Sequence, residues 1–146
     1  MDHSPAQIIV QYLVDEGLAT EPDSSGEWPV YTGHLPDGTG VVDNVLAVYD
    51  TPGTKDGRPL DGLPLFHDGI QVRVRSTDYS TGWIKARAVA DALGEISEEV
   101  VAVDGTDYII HNISQSTAVV PLGQEEGTKR RDHFTVNFLA TLKEDE

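Results

Sequence analysis

The sequence of 146 residues contains no cysteine. This absence excludes disulfide bonds, thiolate nucleophiles and zinc sites built from thiolates. The five histidines show neither a His-Glu-x-x-His motif nor a pair at metal-ligand spacing on a helix. We therefore predict no metal site and no cofactor.

Sequence motifs of catalysis are also missing. There is no Gly-x-Ser-x-Gly nucleophile elbow. Two Gly-Thr-Lys tripeptides, at 53–55 and 127–129, lack the earlier glycine of a phosphate-binding loop. The adjacent acids Glu98-Glu99 and Glu125-Glu126 are interpreted as solvated loop charges rather than as a general acid–base pair. These observations predict a protein without catalytic residues, which is not an enzyme.

Long apolar runs are absent as well. No run approaches the roughly 20 residues of a membrane span, and no basic-then-apolar leader opens the chain. We expect a soluble protein made without a signal sequence and without a membrane partner. At 15.8 kDa and 38% hydrophobic residues, the chain has the size and composition of one globular domain, which we place at residues 1–146.

Positive charge is scarce, because 10 Lys and Arg stand against 25 Asp and Glu and give a net charge of −15. This excess opposes binding to nucleic acid or anionic lipid, which both require clustered basic residues. Residues 1–54 hold nine acids and no Lys or Arg, whereas residues 73–87 hold four of the ten basic residues. The asymmetry favours either head-to-tail contact between copies or charge balance within one domain.

Local patterns predict two helices and several strands. Ser4-Pro5-Ala6-Gln7 has the cap, first-turn proline and capping-box glutamine of a helix start, and apolar spacing extends this helix to about residue 16. A second helical stripe covers about 79–96. Asp104-Gly105 marks a hairpin between two β-rich runs. Strands are expected at 28–32, 43–49, 70–75 and 133–142, the hairpin lies within 100–110, and β character continues through 108–114 and 118–120.

The order of these elements reads helix, short hairpin (28–32 with 43–49), strand, helix, hairpin, strand. It predicts an α+β domain, with a largely antiparallel sheet of about four to six strands and two helices packed on one face.

Four polar segments lack periodicity and are expected to be loops. They lie at 20–27, 33–41, 51–64 and 121–131. Long loops in a small domain are often functional, and no catalytic constellation is present for them to surround. We therefore expect them to become ordered on contact with partner subunits, with ordinary variable surface loops as the alternative.

Several segments together have the order and texture of a known family. They are the capped helix at 5–16, the Trp-Pro-x-Tyr strand at 28–31, the Ile-Gln-Val-Arg-Val-Arg-Ser strand at 70–76, the helix at 83–93 and the Phe-x-Val-x-Phe strand at 134–138. In this arrangement the chain resembles the tail terminator proteins of long-tailed bacteriophages, also described as minor capsid or head–tail joining proteins. The resemblance extends over most of the chain, and none of its segments is a sharp motif.

The resemblance implies a structural virion protein at the head–tail junction, assembled in the host cytoplasm. Proteins of this family are small α+β subunits that form a ring, commonly a hexamer, which ends polymerisation of the tail tube. The implied partners are other copies of the chain, the tail tube protein and a head-completion or neck protein. DNA would pass through the lumen without specific binding, and an acidic lumen would favour this because it repels phosphate.

Charge and loop length, rather than a family motif, select the candidate contact residues. For the subunit interface these are Arg73, Arg75, Lys85 and Arg87. For contact with the tube or the neighbouring subunit they are Gly53, Lys55, Arg58, Leu60 and Leu63.

Three alternatives stay open on the sequence. A head-completion or neck protein would bind the portal or adaptor rather than the tube. A small acidic ligand-binding module of cellular origin would be a monomer with one well-formed apolar pocket. An unrecognised hydrolase would assemble its site from residues far apart in the sequence.

Overall fold

The computed structural model describes residues 2–38, 40–55, 66–125 and 130–145. The elements in these ranges are two helices and seven strands, which confirms the α+β class. The helices are α1 (Pro5–Asp15) and α2 (Tyr79–Gly94). The strands are β1 (Val30–Thr32), β2 (Val45–Lys55), β3 (Phe66–Ser76), β4 (Ser97–Val103), β5 (Thr106–Gln115), β6 (Val120–Gln124) and β7 (Asp132–Glu144).

Helix α1 begins at the predicted capping box. The Ser4 hydroxyl accepts a hydrogen bond from the Gln7 N–H (3.3 Å), and the Gln7 side chain accepts one from the Ser4 N–H (2.7 Å). Pro5 occupies the first turn, where its missing N–H costs nothing. The free N–H of Ala6 donates to Asp50 on β2 (2.9 Å), so the start of the helix is joined directly to the sheet.

Helix α2 begins at Asp78, whose carboxylate accepts hydrogen bonds from the N–H and the hydroxyl of Thr81 (3.0 and 2.8 Å). It lies close against β7, because a Cβ added at Gly82 would stand 2.5 Å from the Phe134 ring. The helix ends at Gly94, two residues before the predicted end. In the described ranges no helix has the length and apolar character needed to cross a membrane.

The sheet has the strand order β1-β2-β3-β7-β5-β4, and β6 pairs with β7 beyond the end of β5. All pairs are antiparallel except β1 and β2, which run parallel. The predicted short hairpin of 28–32 with 43–49 is therefore wrong. A parallel neighbour needs a crossover rather than a tight turn, and residues 33–44 supply one.

Both helices pack on the same face of the sheet. Helix α1 contacts β1, β2, β3 and β4, whereas α2 contacts β3, β5 and β7. The sheet curls around α1, since this helix contacts the strands at both ends of the order. The buried rows under the helices are formed by the cross-strand partners Leu46–Val74–Phe134 and Val48–Val72–Val136.

Two predicted loops are shorter than expected. Strand β2 continues through 51–55 beyond a bulge, where a Cβ at Gly53 would stand 2.0 Å from the carbonyl oxygen of His67. Residues 120–124 form β6, although 121–131 was expected to be loop. Both segments were predicted to be loops because their side chains show no periodic pattern. They form strands nevertheless, because pairing with a neighbouring strand satisfies their backbone N–H and C=O groups.

The β4–β5 hairpin confirms the strongest turn signal of the sequence. Asp104 and Gly105 occupy the turn with φ angles of 49° and 84°. Positive φ at both central positions is the requirement of a type I′ turn, which matches the twist of the flanking strands.

Candidate functional site

The four basic residues predicted at the subunit interface do not form one surface. Alternation along β3 points Val72 and Val74 toward the helices and places Arg73 and Arg75 on the opposite side, here called the outer face. Lys85 and Arg87 lie on α2, which covers the inner face. Arg73 and Arg75 are thus separated from Lys85 and Arg87 by the thickness of the sheet.

Arg75 is buried, with 2% of its surface exposed, and its guanidinium is bound by its own chain. It donates to the carbonyl oxygens of Asp43 (3.0 Å), Pro36 (2.7 Å) and Val42 (3.0 Å). Burial lowers the pKa of Arg75, and the nearby Arg131 guanidinium lowers this pKa further. Within the single chain, Arg75 therefore holds the crossover of residues 33–44 against β3.

Arg73, two residues earlier, is half-buried and differently held. Its Nε donates to the Gln71 side chain (2.8 Å), which itself donates to Asn137 on β7 (3.1 Å). The guanidinium lies over the ring of Tyr49 on β2, 5.2 Å from its centroid. No carboxylate of the described residues forms an ion pair with Arg73.

The basic residues of α2 lie near tryptophans. The Lys85 ammonium lies 5.4 Å from the centre of the Trp28 ring, and burial lowers the pKa of Lys85 while Glu27 opposes this effect. Arg87 is exposed, with its guanidinium 5.9 Å from the Trp83 ring. Ile84, on the same helix, is 67% exposed, so this surface combines positive charge with an apolar side chain.

The candidate contact loop is only partly within the described residues. Gly53 lies in β2 just beyond the bulge, and Lys55 ends that strand opposite Phe66. Arg58, Leu60 and Leu63 lie outside the described residues. The described part of this segment therefore lies at the outer end of the β2–β3 pair, the end at which β2 finishes and β3 begins.

A cluster centred on Arg131 was missed from the sequence. Arg131 is buried, and it contacts the carboxylates of Asp37 (2.8 Å), Asp43 (3.3 Å) and Glu125 (2.7 Å). His133 is 2.8 Å from Glu125 as well. We call these five residues the Arg131 cluster. It joins the 33–44 crossover to the start of β7 and the end of β6.

The charges of the Arg131 cluster stabilise one another. Hydrogen bonds to Asp37 and Glu125 raise the pKa of Arg131, against the opposing effect of burial. Burial alone would raise the pKa of Glu125, but hydrogen bonds from Arg131 and His133 outweigh it and lower this pKa. Glu125 is therefore not the solvated loop charge that the sequence suggested.

Sequence signals for this cluster are weak. The Arg131–Asp37 hydrogen bond joins residues 94 positions apart, and the Arg131–Asp43 bond joins residues 88 apart. The only local hint is Glu125, which precedes Arg131 by six residues in an acidic and then basic segment. The carboxylate partners become visible only when the crossover folds over the sheet.

Among the described residues, no group of three or more His, Cys, Asp or Glu side chains is arranged so that it could hold a metal ion. The histidines are dispersed, and they contact Tyr108, Thr32, Thr141, Glu98 and Glu125 respectively in chain order.

An open groove of about 600 Å³ lies beside the start of α2. Its lining is formed by Ser25, Gly26, Glu27, Trp28, Val42, Asp43, Asn44, Thr77 and Thr81. Of these side chains, Trp28 and Val42 are the apolar ones. This lining differs from the well-formed apolar pocket that a ligand-binding module requires.

Comparison with known proteins identifies the family. A family model described as bacteriophage tail terminator protein matches residues 12–144. Among solved structures, a chain from the virion of a native gene transfer agent particle matches with 14% identity and a TM-score of 0.46, covering 78% of each chain. No curated protein matches the sequence. The family match extends from α1 to the end of β7, and the chain therefore belongs to the bacteriophage tail terminator family, as a non-enzymatic structural protein of the virion located at the tail.

Proposed function

We propose that this protein forms a closed ring, of about six copies, on the end of the tail tube. The ring stops tube polymerisation and presents the surface to which the head is joined through a head-completion or neck protein. The observation that carries the proposal is the match of the tail terminator family model to residues 12–144. Its partners are other copies of the chain, the tail tube protein and the neck protein.

The charge of the chain supports passage of DNA through the ring without specific binding. Six copies at −15 carry about −90 in total, and a lumen lined with carboxylates repels phosphate. The same charge opposes ring closure, so the subunit interface must bring basic side chains against acidic ones.

We assign contact between neighbouring copies to two separate surfaces, the exposed side of α2 and, on the opposite face of the sheet, Arg73. Arg87 and the half-buried Lys85 meet acidic residues of the neighbouring subunit, and Ile84 adds an apolar contact. Arg75 contributes indirectly, because it fixes the crossover from within the fold.

We assign contact with the tube, or with the adjacent subunit, to the outer end of the β2–β3 pair. Gly53 and Lys55 lie in this part of β2. Arg58, Leu60 and Leu63 continue the same segment and complete the assignment.

The test is to polymerise the tail tube protein with and without this chain and to image the tubes by negative-stain electron microscopy. We expect shorter tubes, each with a ring of the protein at one end. The double variant Lys85→Glu/Arg87→Glu should remain folded but fail to form the ring. Tubes of unchanged length that bind none of the protein would refute the proposal, and binding to the portal or adaptor instead would identify a neck protein.

A further inference from the structure

Arg73 differs from Arg131 in its partners. Arg131 contacts three carboxylates of its own chain, whereas Arg73 has none among the described residues. Its Nε is occupied by Gln71, and within the described ranges its two terminal nitrogens make no hydrogen bond. We propose that Arg73 and the side chains that hold it form a socket for one carboxylate side chain of a second copy of this chain. This inference rests on the proposed ring.

The socket is organised before any partner arrives. The Tyr49 ring supports one side of the guanidinium, and the chain of hydrogen bonds from Arg73 through Gln71 to Asn137 fixes its direction. A guanidinium held through Nε leaves its Nη1 and Nη2 pair as a fork, which matches the two oxygens of a carboxylate. Because the side chain is already ordered, binding costs little additional conformational entropy.

The socket lies on the face of the sheet opposite the two helices. A cross-strand row on the outer face runs through Tyr31, Ala47, Arg73, Thr135 and Val120. Helices α1 and α2 pack on the other face of the sheet. Val120 is 41% exposed, and the buried hydroxyl of Thr135 has no hydrogen-bond partner within the described chain. The row therefore places the exposed Val120 and the buried Thr135 on the same face of the sheet as Arg73.

Charge complementarity points to a second copy as the occupant. The chain carries 25 acidic residues, and nine of them lie in the first 54 residues without a single Lys or Arg. Copies packed around a ring bring such acidic surfaces against one another. A fixed guanidinium with no carboxylate partner among the described residues provides the complementary group.

The experiment measures self-association of the full-length chain by sedimentation velocity over a range of protein concentrations. The variants are Arg73→Lys, which keeps the charge and loses the fork, and Arg73→Glu, which reverses the charge. Lys143→Glu is the matched control, because Lys143 is exposed on the outer face of β7 and undergoes the same charge reversal. Thermal unfolding of each variant verifies that the subunit is folded.

We expect the dissociation constant of self-association to rise about tenfold for Arg73→Lys and about a hundredfold or more for Arg73→Glu, with Lys143→Glu within about threefold of the parent. Equal effects of Arg73→Glu and Lys143→Glu would overturn the socket, because they would reveal general charge repulsion. Normal rings from Arg73→Glu would overturn it while leaving the proposed function intact.

A parent chain that neither self-associates nor caps tubes would refute the proposed function itself. A parent chain that caps tubes without contact between copies would overturn both the socket and the ring, and would leave only the capping of tubes. A short DNA duplex, added as a probe, should not bind. Binding by the parent that is lost in Arg73→Glu would overturn the carboxylate assignment in favour of phosphate.

Discussion

Two neighbouring arginines on β3 illustrate two different uses of positive charge. Arg75 is 2% exposed and donates to three carbonyl oxygens of its own crossover. Arg73 lies two residues away on the same face, half-buried on Tyr49, with its terminal nitrogens without a hydrogen bond to the described residues. A basic stretch of sequence can therefore combine charges that stabilise the fold with charges that are available to a partner.

The Arg131 cluster extends the same comparison to the start of β7. Arg131, like Arg75, is bound to the 33–44 crossover, although through carboxylates rather than carbonyl oxygens. Together these two arginines fix residues 33–44, the segment that connects the short strand β1 to the start of β2. Replacing Arg75 or Arg131, which bind the crossover, should therefore reduce the stability of the monomer. Replacing Arg73 should weaken assembly instead.

Replacing Arg131 should produce the largest loss of stability. Arg131→Met removes the cation from three carboxylates, and breaking a buried ion pair from one side costs about 3–5 kcal/mol. Because Asp37 and Asp43 are partly exposed, we expect about 3 kcal/mol. Urea unfolding followed by circular dichroism measures this loss. A change below about 1 kcal/mol would mean that the cluster does not stabilise the crossover.

Replacing Arg75 should have the next largest effect. Arg75→Met leaves the carbonyl oxygens of Pro36, Val42 and Asp43 without their donor, which we expect to cost about 2 kcal/mol. Arg73→Met on the same strand is the matched control and should cost about 0.5 kcal/mol, since it loses mainly the contact with Tyr49. Equal losses in the two variants would remove the distinction between the two arginines.

The contribution of Glu125 to the free energy of unfolding should depend on pH. The pKa of Glu125 is lowered in the folded state, so its stabilising contribution is present above the unfolded value near 4.5 and is lost as the pH falls through the folded pKa. Glu125→Gln should therefore reduce stability at pH 7 and flatten the acid limb of the stability profile. Unfolding free energies measured between pH 7 and acid test this. An unchanged acid limb would contradict it.

Asp68 should behave in the opposite way. Burial raises the pKa of this carboxyl group in the folded state, and Asp50 raises it further. A raised folded pKa contributes stability only below the unfolded value, which is lost as the pH rises through the folded pKa. Asp68→Asn is therefore expected to stabilise the protein slightly at pH 7 relative to the parent, as measured by the urea midpoint. A lower urea midpoint for Asp68→Asn would contradict this, because it would show that the ionised carboxylate stabilises the folded state.

Charge reversal on α2 should have the smallest effect on the isolated subunit. Arg87 is exposed and contacts Trp83 at 5.9 Å, so Arg87→Glu should change stability by no more than about 0.5 kcal/mol. In the proposed ring the same variant should weaken assembly. A stability loss as large as that of Arg75→Met would show that Arg87 stabilises the fold of the isolated subunit.

Local chemistry in the sequence was sufficient to predict most elements. The capping box at Ser4 and the Asp104-Gly105 turn are short-range signals, and both are present as expected. The alternation of apolar side chains predicted β3 and β7 within a few residues of their bounds. Each of these signals is contained within a few consecutive residues.

Features that depend on the crossover could not be predicted in this way. The parallel pairing of β1 with β2 depends on the path of the connecting segment, residues 33–44, and no periodic pattern in the sequence predicts that path. The burial of Arg75 and the carboxylate partners of Arg131 follow from the same path. In the sequence, Arg73 and Arg75 therefore appear equivalent, although the fold separates their roles.

The proposed ring is tested most directly by the native mass of the parent chain over a range of protein and salt concentrations. Negative-stain images of each species and a parallel sample containing the tail tube protein complete the measurement. We expect closed rings of about six copies, alone or on the tube end. A chain that stays monomeric in both samples and does not bind the tube would contradict it.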